Sequence, residues 1–272
     1  MNPDQFSALL DVILWLSIFI AGAALGSFAT VLEARIPDGE SIVSPASKCP
    51  NCGRSLTWKE NIPILGWIML RGACKGCGQP ISRKYPLTEL TTAVLFTAAF
   101  TPGPLPHFEA ANLATAVMAI ITVPLTLIDV RLHRLPNPLT YSAAIALFAI
   151  NLGLSLIIGD FSNFLPVFLA GLVPAASLFT IALISRGGMG LGDVKLAVVL
   201  GWAAGLSSIL AVFATFVIAF AIGGLYAIGV LLAKKADRKA AIPFGPFLLA
   251  GFWIAFLGGN FLQNIVLSPW GL

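Results

Sequence analysis

Eight apolar runs, most of them long enough to cross a lipid bilayer, follow one another along this chain. A bilayer core is roughly 30 Å thick, so a helix needs about 20 predominantly apolar residues to span it. With 58% hydrophobic and 10% charged residues, the sequence predicts an all-α polytopic membrane protein with about eight transmembrane helices. The predicted spans, of which the second and sixth are short, are 9–33, 86–100, 113–128, 139–158, 164–184, 194–204, 207–233 and 245–262.

The basic residues predict the orientation of these spans. All 16 Lys and Arg residues lie in, or at the edges of, the segments 35–85, 129–138, 185–195 and 234–241. Basic loops face the cytoplasm, so we expect the amino terminus outside and the first span retained, because no basic segment precedes it. The sequence pI of about 9.0 then reflects topology and anionic membrane lipid, and does not indicate nucleic-acid binding.

All four cysteines lie in the segment 35–85, as the pairs Cys49/Cys52 and Cys74/Cys77. Two C-x2-C pairs separated by a loop are typical of a tetrahedral zinc site, and four thiolates leave no open position for catalysis. Disulfides are the competing interpretation, but they are rare in the cytoplasm. An iron centre and a redox dithiol are the remaining alternatives. The sequence therefore predicts a small cytoplasmic domain between the first two spans, folded by a structural zinc ion.

Aromatic and charged residues surround the cysteines, among them Trp58, Glu60 and Trp67. Such residues can line a ligand site. They also suit a simpler interpretation, in which the tryptophans belong to the interfacial aromatic belt and Glu60 pairs with a neighbouring lysine. Spacing alone leaves both interpretations open.

Two aspartates, Asp129 and Asp193, each lie at the end of an apolar run, at the same predicted cytoplasmic boundary. A charge near hydrocarbon costs about 2.5–3.5 kcal/mol on insertion scales, so such carboxylates are functional candidates. As alternatives, Asp129 can pair with Arg131 or Arg134, and Asp193 can stabilise a helix amino terminus with Lys195 as its partner. Glycines between 187 and 192 favour a functional role for Asp193, because they permit close approach of an extended peptide.

Paired carboxylates have a specific chemical use. When two share a site, one stays protonated near neutrality while the other is ionised and can take a proton from water that attacks an amide carbonyl. This is aspartic protease chemistry. An ion-coupled transporter is the main alternative, although its carboxylates are expected near mid-membrane. A zinc-stabilised membrane scaffold is the third class of function.

Several motifs, in this order, resemble those of the bacterial type IV prepilin peptidases, which are bifunctional leader peptidases and N-methyltransferases. The likeness covers nearly the whole chain. Its motifs are Gly26-Ser27-Phe28, the two cysteine pairs, Glu60-Asn61-Ile62-Pro63, Arg83-Lys84-Tyr85-Pro86-Leu87 with Glu89, Leu127-Ile128-Asp129, Gly188-Met189-Gly190-Leu191-Gly192-Asp193 and Ile242-Pro243-Phe244-Gly245-Pro246.

This resemblance implies that Asp129 and Asp193 form the catalytic pair and that the four cysteines bind zinc. It also implies cleavage of type IV prepilins or pseudopilins after a glycine at the cytoplasmic face of the inner membrane. Methylation of the new amino terminus by S-adenosylmethionine would follow, with Glu60, Asn61 and Glu89 in the methyl-transfer region. Thr30 and Asn137 depart from the residues that many members have. Thr30 lies near the region usually linked to methylation, so a peptidase without methyltransferase activity is the alternative. Asn137 removes an acidic neighbour without touching either proposed catalytic carboxylate.

The domain organisation follows from the same resemblance. Residues 1–34 would be the first transmembrane helix, 35–85 the zinc-binding and methyltransferase region, and 86–272 the membrane-embedded peptidase domain.

Overall fold

The computed structural model describes residues 3–100, 110–185, 189–233 and 242–259. Over these residues the chain forms helices and two isolated β-bridges, so the predicted all-α fold class is confirmed. The helices are α1 (Pro3–Arg35), α2 (Leu65–Met69), α3 (Lys84–Ala98), α4 (Ala110–Leu132), α5 (Asn137–Ile158), α6 (Phe164–Ile184), α7 (Leu191–Gly205), α8 (Ile209–Leu232) and α9 (Gly245–Leu257).

In the described part of the chain, five helices are long and apolar enough to cross a membrane: α1, α4, α5, α6 and α8. The chain is therefore a multi-pass membrane protein. Helix α9 is apolar but shorter. Helices α3 and α7, which overlap the second and sixth predicted spans, have 15 residues each, or about 22 Å at 1.5 Å per residue.

The ends of some elements differ from the apolar runs. Helix α4 continues through Leu132, three residues beyond Asp129, so Asp129 lies in the last turn of the helix. Helix α7 begins at Leu191, before Asp193. The short helix α2 was not predicted. Residues 187–188, 234–241 and 260–262, on which parts of the predictions fall, lie outside the described residues.

The chain divides into two compact units. The first contains α1, α2 and α3 with the cysteine-bearing segment and Ala119–Pro124 of α4; the second contains the rest of α4 and helices α5 to α9.

Glycines bring α1 and α3 together in the first unit. A Cβ on Gly22 would lie 2.8 Å from the Cα of Ala93, and a Cβ on Gly26 would lie 2.6 Å from the Cα of Glu89. Both distances are too short for a side chain, so the two backbones approach at these glycines, as is usual where helices pack in membranes. This contact fixes Glu89 against α1.

Two pairs of helices in the second unit also pack closely at glycines. Gly201 of α7 leaves no room for a side chain against the Ala170 carbonyl of α6, and the Trp202 indole donates to the Phe168 carbonyl at 3.0 Å. Between α8 and α9, a Cβ on Gly251 would lie 2.8 Å from the Cβ of Ala219. Helix α7, which carries Asp193, is thus held closely by α6.

Candidate active site and metal centre

Asp129 lies in the last turn of α4 and is only 5% exposed. Its Oδ2 accepts a hydrogen bond of 3.1 Å from the backbone N–H of Gly245, the first residue of α9. A Cβ on Gly245 would lie 2.7 Å from the same oxygen. The carboxylate therefore lies directly against a backbone that has no side chain.

Asp193 lies in the first turn of α7 and is 9% exposed. Gly190, in an extended conformation, caps the helix, and its carbonyl accepts a hydrogen bond from the Asp193 N–H. Gly192, which precedes Asp193, and Gly245, whose N–H donates to Asp129, both lie against Leu135. The segments that carry the two aspartates, far apart in the sequence, therefore meet at this residue.

The alternative partner for Asp193 is engaged elsewhere. Lys195 donates to the Asn137 Oδ1 at 2.8 Å and lies over the Tyr141 ring at 5.4 Å. Among the described residues it forms no ion pair with Asp193. This contact joins the start of α7 to the start of α5.

Leu135, which follows Asp129 in the chain, packs against the start of α7 and the start of α9. A Cβ on Gly192 would lie 3.2 Å from the Leu135 Cβ, and a Cβ on Gly245 would lie 3.2 Å from its Cδ2. Sequence reasoning did not assign a role to Leu135 or to the Gly245 N–H. Two sequence features could have pointed to these contacts: Leu135-Pro136, which follows Asp129, and the turn Pro243-Phe244-Gly245-Pro246.

The four cysteines meet in the first unit, as predicted. Their sulfurs all lie within 4.8 Å of one another, with Cys49 to Cys77 at 3.9 Å and Cys52 to Cys74 at 4.0 Å. Sulfurs 2.3 Å from a tetrahedral metal are separated by about 3.8 Å. All four are free thiols, too far apart for disulfides. The cluster therefore has the donors and spacing to hold a metal ion.

Two similar turns form this cluster. The N–H of Cys49 donates to the Arg54 carbonyl and the N–H of Cys74 donates to the Gln79 carbonyl, so each C-x2-C pair lies within a tight loop. Gly53 and Gly78 adopt φ of 71° and 72°, a left-handed conformation that favours glycine. The glycine after each pair is therefore required by the turn.

Glu60 pairs with Arg54, and not with a lysine. The two side chains form hydrogen bonds of 2.8 and 3.2 Å, and the Thr57 N–H and hydroxyl also donate to the Glu60 carboxylate. These donors, Arg54 foremost, lower the pKa of Glu60 to about 2. A Cβ on Gly76 would lie 3.0 Å from the Arg54 Nε, so this pair lies beside the second cysteine turn.

Glu60, Asn61 and Glu89, the residues predicted for methyl transfer, line one cavity of about 330 Å³ in the first unit. This volume lies within the range of small-molecule sites. Its wall also includes residues of α1, of the cysteine segment and of α3, namely Ser27, Thr30, Glu33, Lys48, Cys49, Arg54, Trp67, Cys74 and Tyr85. The Oε2 of Glu89 accepts a 2.6 Å hydrogen bond from the Ile64 N–H.

Two family models match the chain. The Bacterial Peptidase A24 N-terminal domain matches residues 20–102, and the Type IV leader peptidase family matches residues 116–228. A prepilin leader peptidase/N-methyltransferase of Bacillus subtilis is 35% identical over 89% of this chain and 94% of the relative.

The chain belongs to the type IV leader peptidase family.

Other prepilin leader peptidase/N-methyltransferases are also similar to the chain. The Aeromonas hydrophila protein is 33% identical over 92% of this chain and 93% of the relative. The Xanthomonas campestris protein is 35% identical over 87% of this chain and 80% of the relative. No solved structure matches the chain.

The two family models coincide with the two candidate sites. The N-terminal model covers the four cysteines and the cavity residues Glu60, Asn61 and Glu89, while the peptidase model covers Asp129 and Asp193. Gly245, which donates to Asp129, lies beyond the second match. In this family member the two groups of residues therefore occupy separate parts of the chain.

Proposed function

We propose that this chain cleaves the leader of type IV prepilins or pseudopilins after a glycine and then methylates the new amino terminus. The observation that supports the peptidase half is the burial of Asp129 and Asp193 in segments that meet at Leu135. The names of the relatives support the choice of substrate and the methyltransferase half. No relative or family reported above supports an ion-coupled transporter.

For the peptidase we assign the chemistry to the aspartate pair. The ionised member takes a proton from water as the water attacks the peptide carbonyl, and the protonated member donates to the carbonyl oxygen. The Gly245 N–H holds Oδ2 of Asp129 and leaves Oδ1 for the water. No serine or cysteine nucleophile is needed.

The substrate must be extended at the bond that breaks, since a helix hides its carbonyl groups. Gly190 supports this step, because a Cβ there would meet nothing closer than the Asp193 Oδ2 at 3.5 Å. The backbone of the substrate can approach Asp193 along this side-chain-free segment.

For the cysteine cluster we propose a structural zinc ion, held by Cys49, Cys52, Cys74 and Cys77. Four thiolates close the coordination sphere, so the ion would stabilise the fold and bind no substrate. S-adenosylmethionine would supply an activated methyl group, and Glu60, Asn61 and Glu89 belong to the cavity proposed to hold it.

The protein would act in the bacterial inner membrane, in contact with lipid, with both sites at the cytoplasmic face and without a nucleic-acid partner. The proposed division is residues 1–34 as the first transmembrane helix, 35–85 as the zinc-binding and methyltransferase region and 86–272 as the peptidase domain.

Separate Asp129→Asn and Asp193→Asn variants test the peptidase. We expect each to lower the rate of leader cleavage by at least about 100-fold, the usual contribution of a general acid or base. Asp160→Asn is the matched control, because Asp160 is exposed and its carboxylate accepts only from Ser162. If either active-site variant is folded and cleaves at the wild-type rate, the paired mechanism is wrong.

Mass analysis of the mature substrate tests the transferase. Wild-type protein with S-adenosylmethionine should add one methyl group to the new amino terminus. Cleavage without any added methyl group would leave a peptidase alone.

A further inference from the structure

Three glutamates are buried in the wall of the cavity, and two of them have a basic partner. The Glu33 Oε2 accepts from the Lys84 Nζ at 2.6 Å, and the Glu60 Oε1 accepts from Arg54 at 2.8 Å. The third is Glu89, which is 8% exposed.

Among the residues that the structure describes, Glu89 has uncharged hydrogen-bond donors. Its carboxylate accepts from the Ile64 N–H and interacts with the Ser27 side chain. Four basic side chains line the same cavity, Arg35, Lys48, Arg54 and Lys75, yet among the described residues none forms an ion pair with Glu89. A buried carboxylate is stabilised by a cation, and Glu89 presents to the cavity a carboxyl group that has no such partner among the described residues.

The position of Glu89 is fixed from two sides. Gly26 of α1 approaches its backbone so closely that a Cβ there would lie 2.6 Å from the Glu89 Cα. On the other side, Ile64 donates to the carboxylate while adopting φ of 63°, a left-handed conformation that is strained for a β-branched residue. Such strain is found at functional sites, where the surroundings hold it in place.

We infer that Glu89 binds the ammonium group of the newly exposed substrate amino terminus and accepts its proton before methylation. This inference rests on the proposed methyltransferase function. An ammonium nitrogen has no free electron pair, so it must lose one proton, which passes to the Glu89 carboxylate. The neutral amine then uses its electron pair to form the C–N bond; the methyl–sulfur bond breaks and sulfur keeps its bonding pair. The product is a methylammonium ion, and Glu89 releases its proton to water.

The other buried carboxylates do not suit this role. Glu60 is held by Arg54, which together with Thr57 lowers its pKa to about 2, so it is a poor proton acceptor near neutrality. Glu33 is occupied by Lys84 at 2.6 Å. Of these three glutamates, Glu89 is the one without a basic partner among the described residues.

The Glu89→Gln variant separates charge from shape, because glutamine keeps an acceptor for the Ile64 N–H. Methylation should be scored per cleaved substrate molecule across pH 6 to 10, where the amine has a pKa of about 7.7–8.0. We expect the variant to methylate about 100-fold more slowly at pH 7. It should recover as the pH rises above 8, because the amine then loses its proton to water. Asp38→Asn, an exposed carboxylate outside the cavity, is the matched control and should follow the wild-type profile.

A binding measurement provides the second readout. We expect wild-type protein to bind a peptide with the mature free amino terminus about 10-fold more tightly than its acetylated form, and Glu89→Gln to bind both alike. Equal binding by the wild type overturns the inference even if the variant does not fold. If the variant binds S-adenosylmethionine more weakly but still prefers the peptide with a free amine, then Glu89 serves the methyl donor and not the substrate amine. That result would also overturn the inference.

The methyltransferase function and the role of Glu89 can be refuted by different results. If wild-type protein cleaves but never methylates, the methyltransferase function is wrong and this inference is wrong with it. If wild-type protein methylates and Glu89→Gln has the same rate and pH profile, the methyltransferase function stands and only the role of Glu89 is wrong.

Discussion

Replacing Gly245 with alanine is a sharp test of how Asp129 is held. A Cβ at this position would lie 2.7 Å from the Asp129 Oδ2 and 3.2 Å from the Leu135 Cδ2. Ordinary contacts begin at 3.4 Å, so the carboxylate must move by about 0.7 Å, the difference between 3.4 and 2.7 Å. That movement also weakens the 3.1 Å hydrogen bond from the Gly245 N–H.

The expected effect falls on activity more than on stability, because the atom that must move is the end of a side chain. A misplacement of about 1 Å can cost roughly 100-fold in rate. A movement of about 0.7 Å should therefore lower the rate of leader cleavage by roughly 10- to 100-fold. The free energy of unfolding should fall by about 1 kcal/mol, the lower end of the cost of overpacking, since a flexible side chain gives way.

The assay is the initial rate of leader cleavage in detergent or liposomes, together with thermal denaturation of the same samples. Gly224→Ala is the matched control, because a Cβ at Gly224 in α8 would meet no atom within 4 Å. It should cleave at the wild-type rate and be up to about 1 kcal/mol more stable, as alanine favours helix. The reasoning is refuted if Gly245→Ala cleaves within twofold of wild type, or if Gly224→Ala loses as much activity.

Two further predictions concern the first unit. Removing the proposed zinc ion with a chelator, or replacing Cys74 with serine, should abolish methylation and lower cleavage far less, because Asp129 and Asp193 lie in the other unit. Equal loss of both activities, measured with the zinc content, would contradict separate sites. The pKa of Glu60 is lowered to about 2 by Arg54 and Thr57, from an ordinary value of 4.5. Its contribution to stability is therefore present above pH 4.5 and is lost as the pH falls toward 2. Arg54→Gln should reduce this pH dependence in thermal denaturation, and an unchanged dependence would show that another group causes it.

Features that depend on composition or on short spacing were predictable from the sequence. The long apolar runs located the spans, because a bilayer selects for apolar length. The C-x2-C pairs located the thiol cluster, because two thiols in one tight turn face the same centre. Asp129 and Asp193 were recognisable because each is a charge beside hydrocarbon.

Contacts between distant segments were not predictable. The Gly245 N–H reaches Asp129 across more than a hundred residues, and no local pattern encodes that hydrogen bond. Hydropathy placed the end of α4 too early, because hydropathy reports the solvent around a helix and not its backbone hydrogen bonds. The helix continues through Val130, Arg131 and Leu132. For Glu60 the sequence suggested a lysine partner, but the turn at Cys52 brings Arg54 beside it instead.

The close packing of α7 on α6 makes the spacing between Asp193 and Gly201 a fixed length. Each helical residue advances the chain by 1.5 Å and turns it by about 100°. One residue inserted between Asp193 and Gly201 would therefore rotate the carboxylate away from Asp129 while Gly201 kept its place against Ala170. An insertion before Gly190 would leave both residues in register. Over evolutionary time, active members of the family should thus keep the interval between Asp193 and Gly201 constant, and tolerate insertions and deletions between α6 and Gly190.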